Sequence, residues 1–181
     1  MVYRAIGLMS GSSLDGLNMA FVEFQEIGGK WTFEILNTNC FAYSDVWVSR
    51  LQNATNLSAK DYQLLHIEYG HYTGQQVNKF IEENQLQYKV AVIASQGHTT
   101  FDLPDEKLTA HLGDGAAIAA LTGLPVVTNF YSIDAALGGT ERSMNLLQEK
   151  FSVESEINDI KMPVLFAFMG VLRWREEYNV F

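Results

Sequence analysis

Cysteine is nearly absent. Cys40 is the one cysteine in 181 residues, so the chain cannot close an internal disulfide and is not a cysteine-stapled secreted domain. Basic side chains are scarce too: 12 Lys+Arg stand against 21 Asp+Glu, a formal net charge of -9. That balance excludes nucleic acid as an expected partner, because phosphate backbones need a positive field. An anionic ligand would have to be met locally, by backbone N–H groups or a metal ion. The start, Met1 to Ile6, lacks the basic residues and long apolar core of a signal peptide. The longest apolar run, Met162 to Leu172, is too short for a membrane span and contains Pro163. A cytoplasmic protein with no membrane partner is the expectation. His66, His71 and His111 show no metal-ligand spacing with His98. Internal repeats and low-complexity tracts are missing as well. What remains is a chain long enough for one well-buried domain, where two full lobes would need roughly 300 residues.

The pattern that is present reads as α/β. Val2 to Met9, Leu17 to Phe24 and Trp31 to Asn39 read as strands, with Gly28-Gly29 a hairpin turn between the last two. In the second, Leu17, Met19 and Phe21 alternate with Asn18, Ala20 and Val22. Ser44 can cap a helix carrying Val46, Trp47 and Leu51. Ser58 and Asp61 bracket the start of a longer helix like a capping box, with Tyr62, Leu65, Tyr69, Tyr72, Val77 and Phe80-Ile81 as its apolar face. Gly70 and Gly74 argue against its regularity. Val90 to Ala94 reads as a buried strand, followed by a shorter one near Leu108 to Leu112, a small helix over Ala116 to Thr122 closed by Gly123, and a strand from Pro125 to Thr128. This order suggests a ribonuclease-H-type domain. Past Gly138-Gly139 the chain turns polar from Glu141 to Asp159. Met162 to Leu172 then reads as a helix apolar on nearly every face, for which the sequence offers no obvious partner.

Three segments can carry chemistry. Gly7-Leu8-Met9-Ser10-Gly11-Ser12-Ser13-Leu14-Asp15-Gly16 can aim backbone N–H groups and hydroxyls at one anion, with Asp15 beside it to position a hydrated Mg²⁺. The same residues also make an ordinary hairpin loop. In Leu112-Gly113-Asp114-Gly115-Ala116 a carboxylate sits where a strand ends and a helix begins, the crevice where α/β sheets bind ligands. Asp114 can act as a general base there, or it can only cap the helix. Ser95-Gln96-Gly97-His98-Thr99-Thr100, at the end of another strand, can hydrogen-bond a sugar or form a polar turn.

Together, in this order, the three segments resemble the anhydro-N-acetylmuramic acid kinase family. Gly7 to Gly16 resembles that family's G-x-M-S-G-T-S-x-D-G loop, and Ser95 to Phe101 its S-H-G-Q/H-T-x-F segment. Leu112 to Asp134 resembles its G-D-G-x-x-I-A-x-x-T-G-x-P-V-V-x-D-F-R-x-x-D. The resemblance runs from about Tyr3 to Gly139 and resumes weakly over Pro163 to Val180. It implies an α/β fold: a ribonuclease-H-like lobe of the sugar kinase/Hsp70/actin type, a mixed sheet with flanking helices. Residues 1–139 would form the N-terminal kinase lobe. Residues 140–181 would be a remnant of the C-terminal lobe ending in the apolar helix.

The reaction implied belongs to cell-wall recycling. Water adds at C1 of a 1,6-anhydro amino sugar while O6 takes the γ-phosphoryl group of ATP. Asp114 falls at the family's catalytic aspartate. Gly11, Ser12, Ser13, Asp15 and Gly16 fall on its ATP-phosphate loop, with Asp15 beside Mg²⁺. Gln96, Gly97, His98, Thr99 and Asn129 are the candidates for holding the sugar. The chain departs from the family at Asn18, where Asp is usual, at Gln96, where His is usual, and at Asn129 and Tyr131, which replace the Asp and Arg of D-F-R. The alternative is therefore a catalytically dead relative that binds sugar or nucleotide and acts through a partner chain. Apolar surface left by a shortened second lobe favours a homodimer.

Overall fold

The structure, a computed structural model, describes residues 1–132 and 161–176. The domain boundary expected at 139/140 and the polar stretch from Glu141 to Asp159 lie outside the described residues. Strands β1 (Val2–Ser10), β2 (Gly16–Ile27) and β3 (Lys30–Ala42) open the chain, followed by helices α1 (Asp45–Gln52) and α2 (Ala59–Glu83). Then come β4 (Val92–Leu103), β5 (Leu108–Leu112), α3 (Gly115–Thr122), β6 (Val126–Thr128) and α4 (Lys161–Trp174). The sheet runs β3-β2-β1-β4-β5, with β6 also paired to β4. β1, β2 and β3 form an antiparallel meander, and β4 lies parallel to β1 and to β6. This is the expected mixed sheet with flanking helices.

Alternation in the strands builds two cores. Ile6, Leu8, Leu17, Met19, Phe21 and Ile93 face α1, α2 and α3, packing on Leu51, Leu65, Tyr69, Val77, Phe80 and Ile118. Ala5, Ala20, Val22, Phe24, Val92 and Ala94 face the other way, into a core with Val164 to Leu172 of α4. The apolar helix therefore does have a partner, the second face of the sheet. The match is steric. That face is lined by small residues, and Gly7 lies so close to the backbone of Pro163 and Ala167 that a Cβ there would collide. Gly170 likewise lies over Ala94. Pro163 sits in the first turn, where a missing N–H costs no helical bond. Phe168 lies 5.4 Å from the ring of Phe24 and edge-on, 5.1 Å, to Trp31. With both faces covered, Ala5 to Met9 of β1 and Val92 to Ala94 of β4 read as continuous apolar runs.

The caps form as expected. The Ser44 hydroxyl accepts from Trp47 N–H, and the Ser58 hydroxyl accepts from Asp61 N–H while donating to the Asp61 carboxylate at 2.6 Å. The two glycines do not break α2, which runs unbroken for 25 residues. They flatten it where α3 crosses: a Cβ on Gly70 would lie 2.6 Å from the Asp114 carbonyl oxygen. One expectation is overturned. Ser95 to Thr100 is not a turn beyond a strand but the interior of β4. Up to Ser95 the strand pairs with β1 and β6; from His98, which still pairs with Ser10 of β1, it forms an antiparallel hairpin with β5 that keeps it extended. Gly97, at φ +81°, is the irregularity that joins the two halves.

Candidate functional site

The loop between β1 and β2 is a tight turn. Leu14 N–H donates to the Gly11 carbonyl at 3.2 Å, and Leu14 adopts φ +58° with its side chain buried. Burying that leucine turns Ser12, Ser13 and Asp15 outward, all exposed. Gly16 returns the chain against β3, where a Cβ would meet Cys40 Sγ at 2.8 Å. Behind the turn lies a buried chain of polar groups. Tyr43 donates to the Ser10 hydroxyl at 2.8 Å, the Tyr43 and Tyr69 hydroxyls are 2.5 Å apart, and Ser10 Oγ is 3.0 Å from His98 Nδ1. Burial pushes both phenols up, Tyr69 to about 12, so they remain protonated donors.

β4 brings its polar segment alongside this loop, with Ser10 of β1 paired to His98. A cavity of ≈ 320 Å³ opens between them, lined by Ser10, Gly11, Ser12, Gln96, Gly97, His98 and Thr99, with Tyr131 and Phe166 at its side. Gln96 is 5% exposed and ties three elements together. Its Oε1 accepts from Phe130 N–H at 3.1 Å, which directs its Nε2 to His111 Nε2 at 2.7 Å. Burial depresses His111 to about 4 and also lowers His98. Both rings are therefore neutral near pH 7.

Asp114 stands at the junction of β5 and α3. α2 fixes its backbone: Gly113 N–H donates to His66 Nδ1 at 3.2 Å, and Asp114 N–H to the His66 carbonyl at 3.1 Å. The half-buried carboxylate caps α3, one oxygen accepting from Ala116 N–H and the other from Ala117 N–H, each at 3.1 Å. Capping uses one lone-pair site per oxygen and leaves the second of each for a ligand. A second cavity, ≈ 350 Å³, is lined by Asp114, Gln96, His111, Asn129, Tyr62 and His66, among others. Asn129 adopts φ +65°, and its Oδ1 accepts from the Ser132 hydroxyl at 2.5 Å.

The two cavities share Gln96 as a common wall. Gly11, Ser12, Gln96, Gly97, His98 and Thr99 gather in the first, and Asp114, Asn129 and Gln96 in the second. Ser13, Asp15 and Gly16 line neither. Among the described residues no three His, Cys, Asp or Glu side chains cluster as a metal cage. No helix there is long and apolar enough to cross a membrane. Sequence reasoning missed the site roles of Tyr43, Tyr69 and His66, which reach it across the fold, and of His111, three residues before Asp114, which with His66 was weighed only as a metal ligand. The linear signals were a buried-face position on α2 for Tyr69 and a polar residue in a short strand for His111.

The family model for anhydro-N-acetylmuramic acid kinase matches residues 3–146. The anhydro-N-acetylmuramic acid kinase of Brucella canis is 33% identical over 184 aligned positions, which take in 92% of this chain and 47% of that protein. The enzymes of that name from Zymomonas mobilis and Sulfurimonas denitrificans are 35% and 32% identical. They align with 75% and 74% of this chain and with 40% and 37% of their own lengths. The chain thus spans less than half the length of these relatives.

Proposed function

This chain belongs to the anhydro-N-acetylmuramic acid kinase family, and on that footing we propose that it carries the phosphate-loop and acid/base half of an ATP-dependent kinase of 1,6-anhydro-N-acetylmuramic acid. The observation that carries this reading is the pair of cavities with Gln96 between them, one walled by Ser10 to Ser12 and the other by Asp114. The loop would receive the nucleotide phosphates on backbone N–H groups and hydroxyls, with no cationic side chain among the cavity residues. Asp114 would take the proton of the water that adds to C1. The C1–O6 bond then breaks, and O6 takes the γ-phosphoryl group as ADP leaves. Helix capping supports this role, since two N–H bonds fix the carboxylate and leave a lone pair on each oxygen. Asp15, exposed beside Ser12 and Ser13, suits Mg²⁺, which takes one or two protein carboxylates and keeps its other contacts to water and phosphate. When bound, that ion would neutralise charge on the transferring phosphoryl group.

Asn18, Asn129 and Tyr131 favour a second reading, in which this chain binds sugar or nucleotide without turning over. Each is uncharged where the family pattern carries a charge, and an Asn cannot serve as a base or a Tyr as an Arg fork. Incubation with ATP, Mg²⁺ and the anhydro sugar separates the two, read by mass spectrometry. A product heavier by one water and one phosphoryl group, lost in Asp114→Asn, supports the kinase. Ligand binding without product supports the second reading. Neither product nor binding contradicts both.

A further inference from the structure

His98 faces the first cavity with one nitrogen already committed to the core, and the hydroxyls behind it decide which nitrogen carries the proton. Tyr43 donates to Ser10 Oγ. Ser10 is 8% exposed, so its own proton needs an acceptor inside the protein. The acceptor at hand is His98 Nδ1, 3.0 Å away. Tyr43 has spent its proton on Ser10, so at their 2.5 Å contact Tyr69 must be the donor. If Nδ1 carried the proton instead, it would donate to Ser10 Oγ, and the Ser10 hydroxyl proton would have to turn from the ring toward the tyrosine oxygens, against the donation from Tyr43. With Tyr43 donating to Ser10, the hydrogen bonds of the chain line up in one direction: Tyr69 to Tyr43 to Ser10 to Nδ1.

We propose that Tyr69 and Tyr43 are positioning residues that act through Ser10 to hold His98 as the Nε2–H tautomer, a neutral hydrogen-bond donor at the wall of the Ser10–Ser12 cavity. The described residues supply no hydrogen bond to Nε2. Its partner is then an acceptor oxygen of the ligand, phosphoryl or hydroxyl; the identity of that ligand rests on the kinase reading, while the tautomer does not. A neutral donor suits an anion in a chain with few cations, because it satisfies an oxygen without a proton being lost to it.

The test is long-range ¹H–¹⁵N correlation on the full chain labelled at histidine, without ligand, with the His98 signals assigned by their absence in His98→Gln. Wild type should show a pyridine-like Nδ1 and a pyrrole-like Nε2. In Tyr43→Phe and Ser10→Ala the two resonances should move toward each other as tautomers mix, with the amide spectrum still that of the folded protein. A protonated Nδ1 in wild type overturns the proposal without any variant having to fold. Unchanged His98 resonances in both folded variants overturn it as well. Because no nucleotide or sugar is added, either result leaves the kinase reading to its own assay.

Discussion

At the scale of single residues, Asp114 caps α3 and, on the kinase reading, would also take a proton, two roles that substitution can separate. Asn keeps an oxygen for capping but cannot take a proton, whereas Ala can do neither. Asp114→Asn should keep stability within a few tenths of a kcal/mol while activity falls about 10²- to 10⁴-fold. Asp114→Ala should lose about 1 kcal/mol of stability in addition. Urea unfolding beside the transfer assay checks both, and equal activity in the Asn variant and wild type would remove Asp114 from the chemistry. His111 makes a second claim at this scale. Burial pushes its ring down to about 4 from an ordinary 6.5, and lowers His98 in the same way. Below pH 6.5 the unfolded chain therefore binds protons that the folded chain refuses. For His111, stability is full above pH 6.5 and falls as pH drops toward 4, by up to about 1.4 kcal/mol per pH unit, and His98 acts in the same direction. The upper part of that window lies above the carboxylate range, so His111→Gln should flatten the slope of urea stability between pH 6.5 and 5. A level profile in wild type would contradict the buried neutral ring.

Elements explain why that residue chemistry is in place. α2 is the ruler of the site: His66 holds the Gly113-Asp114 backbone, and Gly70 lets it approach. In an isolated helix Gly→Ala is worth about 1 kcal/mol of stabilisation. Here the new Cβ would lie 2.6 Å from one Asp114 backbone atom and 2.9 Å from another. Backbone cannot yield as a side chain can, so Gly70→Ala should lose about 1–3 kcal/mol and shift α3. A more stable Gly70→Ala variant by chemical denaturation would contradict this packing. The same region shows what the sequence could reveal. Ser44, Ser58 and Gly123 cap the helices expected of them, because capping is a contest among neighbours in sequence. Two features were not legible. The glycines of α2 counted against its regularity because their neighbours, Asp114 and Leu121, lie more than forty residues away in sequence. The polar segment at Ser95 read as lying beyond the end of a strand because its extended form depends on pairing with β5.

On the scale of the molecule, a twisted mixed sheet keeps both cavities at one end. β1 delivers Ser10, β4 delivers Gln96 and His98, and the β5–α3 junction delivers Asp114. α4 seals the sheet's second face and brings Phe166 to the wall of the first cavity, so the last described helix contributes to the site as well as to the core. The motifs named the family from sequence, but the separation into two cavities joined at Gln96 needed the three-dimensional fold. The side-chain amide of Gln96 is the group through which both ligands would be felt. Its ¹H–¹⁵N resonance, followed while Mg·ATP and 1,6-anhydro-N-acetylmuramic acid are titrated separately into the chain, should shift with each. A Gln96 amide that responds to neither, at concentrations that saturate the family's enzymes, would contradict the account.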